Sequence, residues 1–159
     1  MENICKHLGV CGSCKLHTLN YEEQLFFKID QYQPLFDSFF NKKIDIFRSK
    51  PIKFRARAEF RIWHNGNEIN YAMTKLNKNG TLEIDECLIV NETIGNLMPK
   101  IILAIKEKQI DKKIFACEFL TTSIGEVVIS LIYHKHLDEI WQTQAKLMSD
   151  DLNINIIGR

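Results

Sequence analysis

KFRARAEFRIWHNGNEINYAMTK, residues 53–75, contains the pattern that decides the fold. Apolar and polar side chains alternate on both sides of Asn65-Gly66, a dipeptide that favours a two-residue type I′ hairpin turn. Such a turn would place apolar residues opposite one another on one face of the hairpin. The expected pairs are Ile62 with Ile69, Phe60 with Tyr71 and Ala58 with Met73. The stretch therefore predicts an antiparallel hairpin with one apolar face.

Helical patterns flank this hairpin on both sides. Asn20 and Glu23 form a capping-box pattern at the start of a first helix, and Pro34 is expected to kink or interrupt that helix. A second helix is expected to start at Asn91 and to break near Pro99. The first helix would present Leu25, Ile29, Tyr32 and Phe36 on one apolar face. A third helix, HLDEIWQTQAKLM, would do the same with Leu137, Ile140, Trp141, Ala145 and Met148.

The remaining apolar runs have the length and composition of strands. IFACEFLTT and EVVISLIYH surround a Ser-Ile-Gly turn, and INIIG forms a short strand near residue 159. The expected fold class is α+β, an antiparallel β-sheet with helices packed on one face.

Composition excludes several classes of protein. Hydrophobic residues make up 45% of the 159 residues and charged residues 26%, which is typical of a folded globular chain. The net charge of +1 gives no global basic field, and no run of about 18 apolar residues could cross a membrane. Five cysteines without an apolar leader at the N-terminus favour a reducing, cytoplasmic location. No obligate protein partner is predicted.

Basic residues gather on the polar side of the hairpin's first strand. Lys53, Arg55, Arg57 and Arg61 all occupy odd positions, opposite the apolar even positions. One interpretation is an ordinary solvated sheet face on which Glu59 pairs with a neighbouring arginine. The other is a phosphate-binding stripe, with Trp63 and Phe115 available to stack on bases.

Three cysteines near the N-terminus predict a metal site. Cys5, Cys11 and Cys14 lie within ten residues, and either Cys87 or Cys117 could supply a fourth ligand. Cys117 lies inside an apolar strand, where a lone cysteine is usually a small core residue, so Cys87 is the better candidate. Zinc sites usually have two short Cys-x2–4-Cys pairs, and this chain has one. Four cysteines with one remote member suit a 4Fe–4S cluster, with zinc as the alternative.

The sequence also resembles a known family. CKHLGVCGSC followed by Cys87 resembles the 4Fe–4S signature of the RNA uracil-5-methyltransferases. FRARAEFRIWHNG, FLTTSIGEVVISLIYHKHLDEIW and LNINIIGR resemble, in the same order, stretches of the branch that forms ribothymidine in the T-loop of tRNA.

The resemblance implies a reaction. Enzymes of this kind flip a uridine out of an RNA loop and attack its C6 with a cysteine. C5 then takes a methyl group from S-adenosyl-L-methionine, a carboxylate removes the C5 proton, and 5-methyluridine is released. No residue here matches the nucleophile, the base or a glycine-rich cofactor turn, so the catalytic residues and the Rossmann-like catalytic domain are expected after residue 159.

The resemblance also implies a division of this chain. Residues 1–43 would form a cysteine-cluster segment and N-terminal helix, and residues 44–159 an RNA-recognition domain that binds the T-loop of tRNA. The alternatives are the branch that modifies ribosomal RNA and a stand-alone iron–sulfur or zinc RNA-binding module. The expected metal ligands are Cys5, Cys11, Cys14 and Cys87. The expected RNA-binding residues are Arg55, Arg57, Arg61, Trp63, Phe115 and His134.

Two of these RNA-binding residues have an ordinary structural alternative. Phe115 could be a core residue, and His134 could cap the helix that starts near Leu137. Since the turn near Gly125 makes their strands antiparallel neighbours, both residues are expected at the same end of the sheet.

Overall fold

The computed structural model describes residues 5–159, which form one six-stranded sheet and three α-helices. The strands are β1 (Arg57–Asn65), β2 (Glu68–Thr74), β3 (Thr81–Ile84), β4 (Ile114–Thr121), β5 (Val127–Tyr133) and β6 (Asn155–Gly158). The helices are α1 (Tyr21–Phe36), α2 (Glu92–Glu107) and α3 (Glu139–Leu152). The first four residues of the predicted segment 1–43 lie outside the described residues. The α+β class is confirmed, and no helix in residues 5–159 is long and apolar enough to cross a membrane.

The sheet is mixed, although a purely antiparallel sheet was expected. Its strand order is β3-β2-β1-β4-β5-β6, and every neighbouring pair is antiparallel except β5 and β6. Helix α3 connects β5 to β6, and a crossover through a helix returns the chain in the same direction. The parallel edge follows from that connection.

The hairpin forms with a register two residues away from the predicted one. Ile62 lies opposite Tyr71, and Asn65 lies opposite Glu68, so the turn residues are Gly66 and Asn67. Gly66 has a φ of +61°, which a type II′ turn requires at its first position. Because the shift is two residues, the apolar side chains stay on the predicted face.

The core lies on one face of the sheet, as predicted for α2 and α3. Phe60, Tyr71 and Phe119 pack edge to face or tilted, with ring centroids 5.5–6.1 Å apart. Tyr71 donates a hydrogen bond to the backbone oxygen of Met98 in α2, at 2.9 Å. Trp141 of α3 packs against Tyr133 of β5 with ring centroids 5.7 Å apart. One continuous apolar cluster therefore joins the sheet to both helices.

Both helix-internal prolines lie within continuous helices, so the predicted break at Pro99 and the predicted interruption at Pro34 are wrong. Helix α2 runs through Pro99, whose ring would otherwise meet the carbonyl of residue 95. Residue 95 is exposed to solvent, and carbonyls on the solvent side of a helix can tilt outward. Pro34 lies in the last turn of α1, which ends two residues later at Phe36.

The predicted helix starts are confirmed, but two apolar faces differ from expectation. Asn20 and Glu23 form both bonds of a capping box, and Asn91 caps α2. On α3, Trp141, Ala145 and Met148 are buried, whereas Ile140 is 73% exposed. Helix α1 contributes no buried residue, because it does not pack on the sheet.

Candidate functional site

The N-terminal cysteine segment, residues 5–19, is attached to the end of β2 by backbone hydrogen bonds. The Gly12 N–H donates to the Thr74 oxygen at 2.9 Å, and the Leu76 N–H donates to the Val10 oxygen at 2.8 Å. Between them, Cys11 and Lys75 form an isolated antiparallel bridge. This contact fixes where Cys11 and Cys14 lie relative to the sheet.

Four cysteines line one cleft of about 550 Å³ beside this attachment. They are Cys5, Cys11, Cys14 and Cys87, the four predicted ligands, and each is half-buried. Cys117 lies in the core instead and is fully buried. Tertiary structure thus brings together thiols separated by more than seventy residues.

Ion pairs hold the two cysteine-bearing segments together. Lys6 Nζ lies 2.7 Å from Asp85 Oδ1 and 3.8 Å from a Glu86 carboxylate oxygen. These acidic residues directly precede Cys87, and all three side chains are substantially exposed. Because solvent screens exposed pairs of this kind, they orient the segments more than they stabilise them.

The thiols influence one another electrostatically. Burial raises the pKa of the Cys14 thiol, and the neighbouring thiols of Cys11 and Cys87 raise it further. Burial also raises the pKa of the Cys87 thiol, although the Ile89 and Val90 backbone groups act in the opposite direction. Raised pKa values favour protonated thiols, so any metal or cluster bound here would have to displace protons.

The side chains do not form a preformed single-ion site. Within residues 5–159, no three His, Cys, Asp or Glu side chains converge on one point where a metal ion could bind. Tetrahedral zinc would need sulfur atoms roughly 3.8 Å apart, given a Zn–S distance of about 2.3 Å. His7 lines the same cleft, and its buried Nε2 makes no hydrogen bond to any described residue. The cleft therefore has four soft donors and one unsatisfied polar atom around a space wider than one ion needs.

The predicted basic stripe is divided in the structure. Strand β1 begins only at Arg57, whereas Lys53 has a φ of +56° and Arg55 forms an isolated bridge with Val90. Lys53 pairs with Glu92 of α2, at 2.9 Å. Arg55 bonds through its backbone to Ile89 and lines the cysteine cleft. The prediction that all four cations lie on one continuous strand face is therefore wrong.

Arg57 is held on the open face of the sheet by a carboxylate. Glu118 of β4 is 8% exposed and accepts hydrogen bonds from both Arg57 and Arg159, the latter at 2.7 Å. A charged residue in the middle of the apolar run IFACEFL was the available sequence signal for this site. Its partners could not be read from sequence, because one comes from strand β1 and the other is Arg159, just after β6.

Arg61, Phe115 and His134 form a contiguous group on the same open face. The Arg61 guanidinium carbon lies 5.7 Å from the centroid of the Phe115 ring. The Phe115 and His134 ring centroids are 4.5 Å apart, with their planes tilted by 58°. Trp63 follows Arg61 on the same face of β1 and is 41% exposed. We call Arg61, Trp63, Phe115 and His134 the aromatic–arginine group.

The simpler interpretations of these residues do not hold. Phe115 is only half-buried and is absent from the core cluster. His134 is exposed, and the residue that caps α3 is Asp138. Among residues 5–159, Arg61 makes no ion pair, whereas Glu68 pairs with Lys106. The group therefore presents a cation and aromatic rings that the fold itself does not use.

Comparisons with known proteins agree with this architecture. The sequence model of the tRNA (Uracil-5-)-methyltransferase family matches residues 20–159. The tRNA/tmRNA (uracil-C(5))-methyltransferase of Sulfurimonas denitrificans is 46% identical over 98% of this chain and 42% of its own length. That of Aliarcobacter butzleri is 44% identical over 98% of this chain and 43% of its own length. The chain thus spans less than half the length of these relatives.

A solved structure has a similar fold. The Pyrococcus abyssi tRNA (uracil-54, C5)-methyltransferase, in complex with S-adenosyl-L-homocysteine, matches with a TM-score of 0.54 and 18% identity. The match covers 77% of this chain and 32% of that one. At this identity the likeness concerns the fold alone.

Gly12→Ala should detach the cysteine segment from β2. A Cβ at position 12 would lie 2.8 Å from the Thr74 oxygen and 3.1 Å from the Lys75 oxygen, both backbone atoms. We expect the free energy of unfolding, measured by denaturant titration, to fall by about 1–3 kcal/mol.

Gly95→Ala is the matched control. This helical glycine has no atom within 4 Å of the added Cβ, so stability should rise by about 0.5–1 kcal/mol. A Gly12→Ala protein as stable as wild type would contradict the attachment described above.

Proposed function

Since the chain belongs to the tRNA (uracil-5-)-methyltransferase family, we propose that it is the RNA-binding and iron–sulfur portion of such an enzyme. The whole enzyme would transfer a methyl group from S-adenosyl-L-methionine to C5 of a uridine in the tRNA T-loop, giving 5-methyluridine. The observation that carries the proposal is the contact between Arg61, Phe115 and His134 on the open face of the sheet. We assign no catalytic residue to this portion.

The aromatic–arginine group has the chemistry to hold a folded RNA loop. Unstacked bases of a loop can stack on the Phe115 and His134 rings, which are already 4.5 Å apart. The planar guanidinium of Arg61 can bind a phosphate with two hydrogen bonds, or stack on a base. Trp63, on the same face, would extend the stacking surface. Holding the loop in this way would keep one uridine displaced for reaction.

Arg57 and Arg55 would have secondary roles in RNA binding. Arg57 shares Glu118 with Arg159, and the three side chains carry a net charge of +1. The Arg57 side chain is still largely exposed, so it can attract phosphate at longer range. Arg55 lies at the cysteine cleft, where its charge would favour bound thiolates as well as RNA.

Cys5, Cys11, Cys14 and Cys87 would hold a 4Fe–4S cluster. The four thiols line one cleft, which supports a shared ligand, and a single short Cys-x2-Cys pair with one remote cysteine suits a cluster better than zinc. When bound, the cluster would supply a cross-link between residues 5–14 and the segment that follows β3. Because it closes a long loop, such a cross-link would be mainly structural.

The division of the chain and its location are part of the same proposal. Residues 1–43 would form the cysteine-cluster segment and N-terminal helix, and residues 44–159 the RNA-recognition domain. No disulfide joins the cysteines of residues 5–159, which is compatible with a reducing cytoplasm as the location.

The full-length protein should methylate tRNA. With labelled S-adenosyl-L-methionine, we expect label in a tRNA transcript and 5-methyluridine after its digestion. A matched transcript with cytidine in place of the T-loop uridines should remain unlabelled. Transfer to a ribosomal RNA transcript instead would assign the protein to the other branch of the family, and no transfer to either would contradict the proposal.

Anaerobically purified protein should be brown, with a broad visible absorbance and about four irons per chain. Cys87→Ser should remove most of this absorbance, since Cys87 is the one ligand outside the N-terminal segment. Cys117→Ala is the control and should retain the colour, because Cys117 lies in the core. Colourless protein with stoichiometric zinc would show that the cluster assignment is wrong.

Phe115→Ala and His134→Ala should each weaken binding of T-loop RNA by about 1–3 kcal/mol and leave the thermal midpoint nearly unchanged. Arg61→Ala should weaken binding and lower the slope of log affinity against log salt by about 1. Binding and midpoint are measured on the same full-length preparations.

Two controls distinguish a loss of RNA contact from a loss of stability and from the loss of any positive charge. Phe119→Ala, in the core, should lose about 3–5 kcal/mol of stability. Lys146→Ala removes an exposed charge on α3, behind the sheet, and should leave RNA affinity unchanged. If Phe115→Ala and His134→Ala both fold normally and bind as tightly as wild type, the aromatic–arginine group is not the RNA site.

A further inference from the structure

The region between residues 26 and 47 exposes an unusual amount of apolar side chain. Phe26, Phe39 and Phe47 are 71%, 75% and 93% exposed. We use the name α1 surface for the side chains of Phe26, Tyr32, Leu35, Phe39, Ile46 and Phe47, all exposed. Six exposed apolar side chains within 22 residues are more than the scattered single residues of an ordinary surface, and apolar surface on this scale commonly serves binding.

The α1 surface belongs to an ordered unit formed by residues 21–48, which we call the α1 unit. The Gln33 side chain donates to the Lys42 backbone oxygen at 3.2 Å and accepts from the Ile44 N–H at 2.9 Å. At the other end of the helix, Arg48 forms two hydrogen bonds to Glu22. Residues 42–48 therefore run back along α1, held by polar contacts at both ends. The apolar side chains are left facing outward.

The core of the sheet does not use this unit. Helix α1 has no buried residue, and a 16-residue helix gains most of its stability from packing an apolar face. Its side chains instead meet the cysteine segment, where Gln24 donates to the Leu16 and Leu19 oxygens. A further partner is needed to cover the apolar side.

Charge and chain length identify that partner. Residues 21–48 contain five acidic side chains, three lysines and Arg48, a net charge of −1, so the unit has no positive excess that would attract RNA phosphates. The matched relatives continue for more than half of their length beyond the N-terminal part that this chain represents. We propose that the α1 surface is the docking site for the C-terminal part of the full-length protein. This inference rests on the proposed function, which assigns catalysis to that part.

The position of the unit gives the docking a structural consequence. The α1 unit contacts the cysteine segment, and the cysteine segment is bonded to the end of β2. Gln24 and Lys28 of α1 line the cleft that holds the four cysteines. The cysteine site thus lies between the docking helix and the RNA-binding sheet, and a cluster there would fix their relative position.

Hydrogen exchange of the full-length protein tests the docking. In wild type, the amides of α1 should exchange slowly, in the range of the core strands. Phe39→Ser/Phe47→Ser should accelerate α1 exchange by roughly 10- to 100-fold for each docked phenylalanine lost. Ile124→Ser/Ile140→Ser, which changes two equally exposed residues on the β4–β5 turn and α3, should leave α1 exchange unchanged. Phe47→Ser alone is the second variant, since a 93% exposed residue is not needed to fold residues 5–159.

Equal α1 exchange in wild type and both phenylalanine variants would overturn the proposal. A wild-type dimer in sedimentation that the double variant dissociates would assign the surface to a second copy instead. Slow α1 exchange only after addition of tRNA would assign it to RNA. These measurements need no methyl transfer, so an inactive enzyme with protected α1 amides would contradict the proposed function and leave the docking intact.

Discussion

The sheet is packed on one side only, and the rest of the structure depends on that constraint. Phe60, Tyr71 and Phe119 form a connected set of rings beneath α2 and α3. Because both helices lie on this face, the opposite face is free for side chains that do not contribute to folding. Arg61 lies there between Ala72 and Ala116, its cross-strand neighbours on either side. These small residues leave room for the guanidinium to lie across the sheet towards the Phe115 ring.

The arginines on this open face are of two kinds. Arg57 and Arg159 share the carboxylate of Glu118, which would be costly to bury without partners. Within the described part of the chain, Arg61 makes no ion pair. Its guanidinium instead lies over the Phe115 ring. An arginine without a carboxylate keeps its full charge for a phosphate. The face thus has one arginine group paired with a carboxylate and one arginine whose charge is not paired within residues 5–159.

The cysteine segment links parts of the protein that share no core. It bonds to β2 through Gly12, to α1 through Gln24 and to the acidic residues before Cys87 through Lys6. Each contact is polar or small, so none of them alone rigidly fixes the helix to the sheet. Four thiols line the cleft at this junction, so a ligand that they shared would cross-link the cysteine segment to the edge of the core.

Local patterns in the sequence determined the elements, because alternation, capping residues and glycine turns act over a few residues. They predicted β1, β2 and the Asn20 capping box. They also favoured Cys87 over Cys117 as the cysteine that lies beside the N-terminal thiols. They could not determine the hairpin register, since Asn65-Gly66 and Gly66-Asn67 both allow a tight turn and only cross-strand packing chooses between them. Tertiary structure alone decided that Glu118 binds Arg57 and Arg159, because both arginines are distant from it in sequence. The exposed face of α1 was decided in the same way: its apolar residues follow a helical period, but that period does not say that the sheet leaves them uncovered.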